Sequence, residues 1–362
     1  MHHKTEKLVK QFFATDYNRV GLKYGLSTGS TMLNLACSDN PAYGFVKGGY
    51  YLIVGDSKSG KTWLSLSCMA EAAHNPRFAK YRFIYDNGEG GAMMNLEKFF
   101  GKKMASRIEP PEIDKRGNAV HSYFLEDFYY HVNDALQQGQ PFIYVQDSAD
   151  VLTSHAEEKK FNEQKLAHRK GKTPAGKMTD GKAAINSQDL RRLLTPLRRN
   201  SSILIIINQT RANLGFGYAE KTQSGGKALT FYAGIVMWSS VKGKIIKAIK
   251  GKPRQIGTYC EVRIQKNRIT GKDRRVIVPI YWSCGIDDIG ACVDFLVDEN
   301  HWVQPKGSSI ITASDLGLKG KRESLIRAIE RKGLERDVRE TVAEVWAEIE
   351  AACEVKRKPR YE

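Results

Sequence analysis

Apolar runs alternate with longer amphipathic stretches through the middle of the chain. Between Tyr50 and Ile280 the runs are YYLIV, RFIYD, PFIYVQD, SILIIIN, GIVMWSS, TYCEVRIQK and RRVIVPIYW. The first four are continuous enough for strands buried on both faces, the mark of a parallel sheet, and the last three read as a run that turns antiparallel at the sheet edge. Strands separated by helix-length segments predict an α/β core, a mostly parallel twisted sheet flanked by helices, over residues 26–300. Ahead of it, Leu8, Val9, Phe12 and Phe13 stand among Lys and Gln, so residues 1–25 read as a short amphipathic helical arm too small to fold alone. Behind it, Leu325, Ile326, Ile329, Val338, Val342, Val345, Trp346 and Ile349 recur at three- and four-residue steps, which predicts two helices in a small C-terminal region, residues 301–362. The stretch from Ser154 to Gly181 has little apolar periodicity and two Gly-flanked Lys clusters, and reads as a long exposed loop.

Composition narrows the class. With 362 residues, 41% of them hydrophobic, the chain is long enough for a sizeable core, which excludes disorder as a description of the whole. The longest apolar stretches fall short of a membrane span, and the N-terminal MHHKTEKLVK lacks an apolar signal core, so a soluble cytoplasmic protein with no membrane partner is expected. Six cysteines without a C-x-x-C pair or nearby His signal neither a zinc site nor a disulfide framework. A net charge of +17 favours a polyanionic partner. The charge is concentrated: residues 157–182 carry a net of +4, Arg191, Arg192, Arg198 and Arg199 add four, and residues 242–275 carry +10, leaving the rest near neutral. Such clustering favours phosphate-backbone binding over a solvated surface.

The clearest chemistry lies at Gly55, Asp56, Ser57, Lys58, Ser59, Gly60, Lys61 and Thr62, which match G-x-x-x-x-G-K-[ST] after an apolar strand and before a helical stretch. The glycines let backbone N–H groups turn toward phosphate oxygens, Lys61 brings a point charge to the terminal phosphates, and Thr62 offers a hydroxyl to Mg²⁺. The later strand FIYVQ ends in Asp147, placed to sit beside that metal, so ATP and Mg²⁺ are the expected cofactors and Thr62 and Asp147 the metal residues. Hydrolysis also needs a base, and the loop DNGEGG supplies two candidates, Asp86 and Glu89, of which Glu89 is preferred.

Taken with LSTGSTMLNLA (Leu26–Ala36), SQDLRRLL (Ser187–Leu194), INQTRANLG (Ile207–Gly215), SGGKALTFYA (Ser224–Ala233) and QKNRI, these motifs resemble the RecA family of DNA recombinases, the phage UvsX type included, over roughly residues 26–290. The resemblance implies a P-loop RecA-like core whose Glu89 is the hydrolytic base. It implies that Gln209 senses the terminal phosphate, that Lys266 and Arg268 reach a neighbouring subunit's ATP, and that Tyr281 lies near the nucleotide base. Two DNA-binding loops follow from it, about 154–186 and 210–226. Ser187, Arg191, Arg211, Gly225 and Gly226 are then DNA contacts, joined by Asn213, Phe216 and Lys227. Phe216 and Tyr218 suit base stacking and simple loop packing equally. DNGEGG carries one residue more than the shorter D-x-E loop usual in the family, which leaves Asp86 and Glu89 both open. Ser154–Gly181 is far longer than the family's first DNA loop, and Arg268 stands where Lys is common.

The activity so implied is DNA-dependent ATP hydrolysis coupled to recombination and repair. The partners are single-stranded DNA, a homologous duplex, other copies of the chain in a helical filament docked through the N-terminal arm, and single-strand-binding and loading proteins, in a bacterial cytoplasm or that of a phage's host. Two other classes fit the P-loop and the DNA loops: a RecA-fold ring helicase or translocating motor, and an ATP-gated DNA-binding accessory protein with little turnover.

Overall fold

A computed structural model describes residues 25–117, 119–172, 181–211, 222–357 and 360. The arm residues Leu8–Phe13, together with Asn213, Phe216 and Tyr218, lie outside the described residues. Among those described, the strands are β1 (Tyr50–Gly55), β2 (Arg82–Asp86), β3 (Glu112–Ile113), β4 (Ala119–Val120), β5 (Phe142–Gln146), β6 (Ile203–Arg211), β7 (Thr222–Gln223), β8 (Ile235–Ile249), β9 (Lys252–Asn267), β10 (Arg274–Tyr281), β11 (Gly285–Ile286), β12 (Ile310–Ala313) and β13 (Leu318–Lys321). The helices are α1 (Thr31–Ser38), α2 (Lys61–His74), α3 (Leu96–Phe100), α4 (Lys102–Ala105), α5 (Leu125–Gln137), α6 (His155–Arg169), α7 (Lys182–Arg199), α8 (Lys227–Tyr232), α9 (Asp288–Asp298), α10 (Arg322–Lys332) and α11 (Glu335–Ala352).

The main sheet runs β11-β10-β9-β8-β1-β6-β5-β2, with β7 paired to β6. From β8 through β1, β6 and β5 to β2 every pairing is parallel, and β9, β10 and β11 continue antiparallel. The α/β architecture expected from the apolar runs is therefore present, and the turn to antiparallel pairing comes one strand later than the pattern suggests. GIVMWSS joins β1 in parallel because its residues, like those of β1, face a core on both sides. Strict alternation does the sorting: Tyr51 and Ile53 of β1 and Ile203, Ile205 and Ile207 of β6 enter one core, while Tyr50, Leu52, Val54, Leu204 and Ile206 enter the other. The first core is covered by α1, α2, α9, α10 and α11, and the second by α5 and α7. Parallel register brings Gly55, Gln209 and Ser239 abreast, and Asp86 abreast of Gln146, so the carboxyl ends of the strands form one edge. That edge is where open α/β sheets bind ligands.

The Ser154–Gly181 segment corrects an expectation. Its first half is the helix α6, which has no buried residue. An apolar stripe is therefore missing, and the helix rests on its cap and on propensity. The Ser154 hydroxyl accepts from the Glu157 N–H at 3.2 Å, the Glu157 carboxylate accepts from the Ser154 N–H at 3.0 Å, and Lys182 pairs with Glu157 at 3.6 Å. Such a capping box before a run of Ala, Glu, Lys and Gln suffices for a solvent-surrounded helix. The second expected DNA segment begins in β6 and returns through β7.

Residues 301–362 contain the β12–β13 hairpin as well as α10 and α11, and Leu325, Ile329, Val338 and Val342 join the first core. Arg274 of β10 fastens α11 there, lying 2.6 Å from Asp39 and 2.7 Å from Glu350, with its guanidinium over the Trp346 ring. Arg274→Met is expected to lower unfolding free energy by about 1–3 kcal/mol, because two half-buried carboxylates lose the guanidinium between them and keep Lys272 as their cation. Urea denaturation reads this loss, and an unchanged midpoint would contradict it. Among the described residues no helix is long and apolar enough to cross a membrane.

Candidate active site

β1 ends at Gly55 and the chain curls through residues 56–60 into α2. Gly60 begins the helix at φ 86, and a Cβ there would lie 2.5 Å from Ile280 Cδ1, so only glycine fits. The Lys61 ammonium turns back on the loop, donating to the carbonyls of Gly55 at 2.9 Å and Asp56 at 2.8 Å. Burial lowers its pKa from the ordinary lysine value, and the carboxylates of Glu89, Asp147, Asp150 and Asp56 oppose that shift. A lysine spent on main-chain carbonyls amid four acids is a cation held where phosphate oxygens would draw it away.

Next to it the Thr62 hydroxyl donates to Asp147 Oδ2 at 2.8 Å, and the Tyr85 hydroxyl donates to the same oxygen at 2.7 Å. Burial raises the Asp147 pKa, against those two hydrogen bonds. A hard hydroxyl–carboxylate pair at the end of a phosphate-type loop, with the acid short of positive charge, is a donor set suited to Mg²⁺.

The two candidate bases separate cleanly. Asp86 turns into the sheet's second face, where it accepts from the Ser122 N–H at 3.0 Å, the Ser122 hydroxyl and the Tyr144 hydroxyl at 2.7 Å. Burial alone would raise its pKa, but the bonds from His121, Ser122 and Tyr144 bring it below the ordinary carboxylate value. Both oxygens of this acid are thus engaged by donors of the protein. Glu89 instead lies at the strand-end edge: its N–H donates to the Asp147 carbonyl at 3.0 Å, and its carboxylate accepts from the Ser148 hydroxyl at 2.8 Å and the Gln209 amide at 3.1 Å. Geometry thus places Glu89, Asp147, Thr62, Lys61 and Gln209 together and leaves Asp86 outside.

Tyr281 ends β10 one residue beyond Ile280, whose side chain packs on Gly60, and its own hydroxyl faces Arg322, Glu323, Asp287 and Tyr259 rather than the phosphate loop. Lys266 and Arg268 are elsewhere. The Lys266 ammonium donates to the Thr230 and Phe231 carbonyls at 2.8 and 2.6 Å, and Arg268 donates to Phe231 at 2.8 Å, closing the end of α8 rather than touching their own phosphate loop. Burial, with Arg268 nearby, lowers the Lys266 pKa to about 8.

The DNA candidates that the structure describes cluster along α7. Asn186, Leu190, Leu193 and Leu197 are buried, which leaves Ser187 and Arg191 exposed on the opposite face. Gly225 and Gly226 lie against this helix. Asn186 donates to the Gly225 carbonyl at 2.7 Å, and a Cβ on Gly226 would lie 2.7 Å from that of Ala183. Lys227 begins α8, exposed beside them. Arg211 pairs through its backbone with Thr222, closing the base of the segment that holds Asn213 and Phe216. A further basic element is the β8–β9 ribbon, which beyond Gly257 has no third strand and exposes Lys244, Lys247, Lys250, Lys252 and Arg254.

Sequence reasoning missed four polar residues here. Asn208, 1% exposed, exchanges bonds with Ser224 at both ends of the second segment. The Ser148 hydroxyl bonds both Glu89 and Asp150, Asp150 accepts from the Gln209 N–H at 3.2 Å, and Thr210 donates to the Asp56 carboxylate. Strand-end polarity in QDSAD and NQT was the available signal.

The chain is also similar to known proteins. Residues 169–287 match the family model described as the RecA N-terminal domain. Protein RecA of Chlorobaculum parvum is 29% identical over 310 residues, covering 81% of this chain and 77% of the relative. Protein RecA of Bartonella bacilliformis is 27% identical over 288 residues, 76% of this chain and 72% of that one. Protein RecA of Xanthomonas axonopodis pv. citri is 26% identical over 280 residues, 75% and 71% respectively. The chain is thus similar to RecA proteins over three quarters or more of its length, and its α/β sheet, mostly parallel and flanked by helices, is consistent with a RecA-like core.

Proposed function

We propose that the chain is an ATP-dependent, DNA-stimulated recombinase that assembles as a helical filament on single-stranded DNA and pairs that strand with a homologous duplex. The observation that carries the reading is the position of Gln209. Its side chain donates to Glu89 and its main chain runs directly into the 210–226 segment, so one residue joins the hydrolytic acid to the DNA element.

In this reading the backbone of residues 55–62 and the Lys61 ammonium take the ATP phosphates, and Thr62 with Asp147 would hold Mg²⁺. When bound, the metal offsets phosphate charge and fixes the terminal group's orientation. Glu89 orients water and accepts its proton, while Gln209 registers the terminal phosphate. Tyr281 lies toward the base. Lys266 and Arg268, remote from their own phosphate loop, serve the site of the next protomer. Ser187, Arg191, Arg211, Asn213, Phe216, Gly225, Gly226 and Lys227 contact the DNA, and single-strand-binding and loading proteins act alongside. Nearly all of these contacts are to backbone, so sequence preference is slight.

ATP hydrolysis with and without single-stranded DNA tests the reading, followed by strand exchange between a circular single strand and a homologous linear duplex. Many-fold stimulation and homology-dependent exchange are expected. Hydrolysis indifferent to DNA, or unwinding without homology, would contradict it. DNA affinity is also expected to fall with salt at a log–log slope steeper than about −2, since each neutralised phosphate of a single strand contributes about −0.7. Titration at several salt concentrations measures that slope, and a flat response would count against backbone binding.

A further inference from the structure

The dipeptide Gln209–Thr210 is held by three carboxylates from three different loops. Glu89, from the loop after β2, takes the Gln209 side chain, and Asp150, from the loop after β5, takes the Gln209 N–H. Asp56, the residue after β1 in the phosphate loop, takes the Thr210 hydroxyl. The Asp56 main chain is tied into the same loop, its carbonyl accepting from the Lys61 ammonium at 2.8 Å and the Ser59 hydroxyl at 2.8 Å. The same aspartate therefore meets the phosphate-binding lysine through its backbone and the DNA segment through its side chain.

We infer that Asp56 and Thr210 form a direct linkage by which occupancy of the phosphate loop positions Gln209 and the segment beyond it, a second route alongside the Gln209–Glu89 bond. Phosphates that draw Lys61 off the Asp56 carbonyl free that peptide to move, and the carboxylate carries Thr210 with it. By reciprocity, DNA bound to the 210–226 segment acts back on the phosphate loop through the same bond. Thr210 is a positioning residue in this scheme: it touches neither nucleotide nor water and acts through Asp56. The inference rests on the function proposed above.

Its test is the ratio of kcat with saturating single-stranded DNA to kcat without it, measured for the full chain and for Thr210→Val, Asp56→Asn, the double variant and Thr210→Ser. Valine keeps the shape and removes the hydroxyl, and serine restores the donor. The ratio is expected to fall about ten-fold in Thr210→Val, the least that loss of a hydrogen bond to a charged group produces. A smaller fall is expected in Asp56→Asn, whose amide oxygen still accepts from the hydroxyl but without charge, and no fall beyond that of Thr210→Val in the double variant, because two ends of one bond are not additive. Thr210→Ser should recover the ratio to within about two-fold, a rescue that a mere packing role would not give. A Thr210→Val protein with the parental ratio, or single losses that multiply in the double variant, overturns the linkage alone. A parental chain whose hydrolysis ignores DNA overturns both the linkage and the function on which it rests.

Discussion

Lys61→Ala loses ATP binding by about a hundred-fold or more, because its ammonium is held inside the phosphate loop, and the exposed Lys58 is not placed to replace its charge-assisted bonds to phosphate. Four carboxylates act on Lys61, so removing it leaves those acids without that buried counter-charge, facing a polyanion. Stability should change little, since the lysine's bonds are to the Gly55 and Asp56 carbonyls at a loop that water can reach once the side chain is gone. Calorimetric titration with ATP, beside a thermal melt, separates the two effects. Retained ATP affinity would show that residues 55–62 are not the phosphate site.

Glu89→Gln is expected to slow DNA-stimulated turnover by about 10²–10³-fold while leaving ATP binding within about three-fold, since the amide keeps the shape but cannot take a proton from water. The filament should then persist in its ATP-bound form. Asp86→Asn provides the contrast. Its donors are divided between the two oxygens, so an amide nitrogen would face either the Ser122 N–H or the Ser122 and Tyr144 hydroxyls, and the loss appears as about 2–3 kcal/mol of stability rather than as a slow chemical step. Steady-state hydrolysis together with urea denaturation of both variants distinguishes the roles. Unchanged turnover in Glu89→Gln would move the base elsewhere.

Much of this was legible in the chain itself. Tyr50–Val54 of β1 and Ile203–Ile207 of β6 are apolar at every position, which a two-sided core explains, and the phosphate loop follows β1 with the residue types its geometry demands. Asp147 was readable as a strand-end acid. The different surroundings of Asp86 and Glu89 were not, because Asp86 ends β2 and Glu89 stands three residues on, while the bonds that hold Asp86 come from Ser122 and Tyr144, far along the chain. Thr210 was opaque for the same reason: its partner Asp56 lies 154 residues away. The helix α6 was hidden for another. Helices are recognised by an apolar stripe, and this one has none, although Ser154 and Glu157 spelled out its cap. Local chemistry was therefore readable, while contacts that depend on which strand ends the sheet brings abreast were not.

The register that sets Gln209 beside Gly55 also explains why the proposed switch needs no long-range rearrangement. The phosphate loop, Glu89 and the root of the 210–226 segment share one sheet edge, so ordering any one of them bears on the others through bonds of about 3 Å. The basic ribbon of β8 and β9 and the exposed arginines of α7 supply the positive surface that a polynucleotide requires.

The most direct test of the account is electron microscopy of the purified chain with single-stranded DNA and a slowly hydrolysed ATP analogue, beside the same mixture lacking nucleotide. Long helical filaments that require both ligands are the predicted result; closed rings, or isolated particles in every mixture, would contradict it.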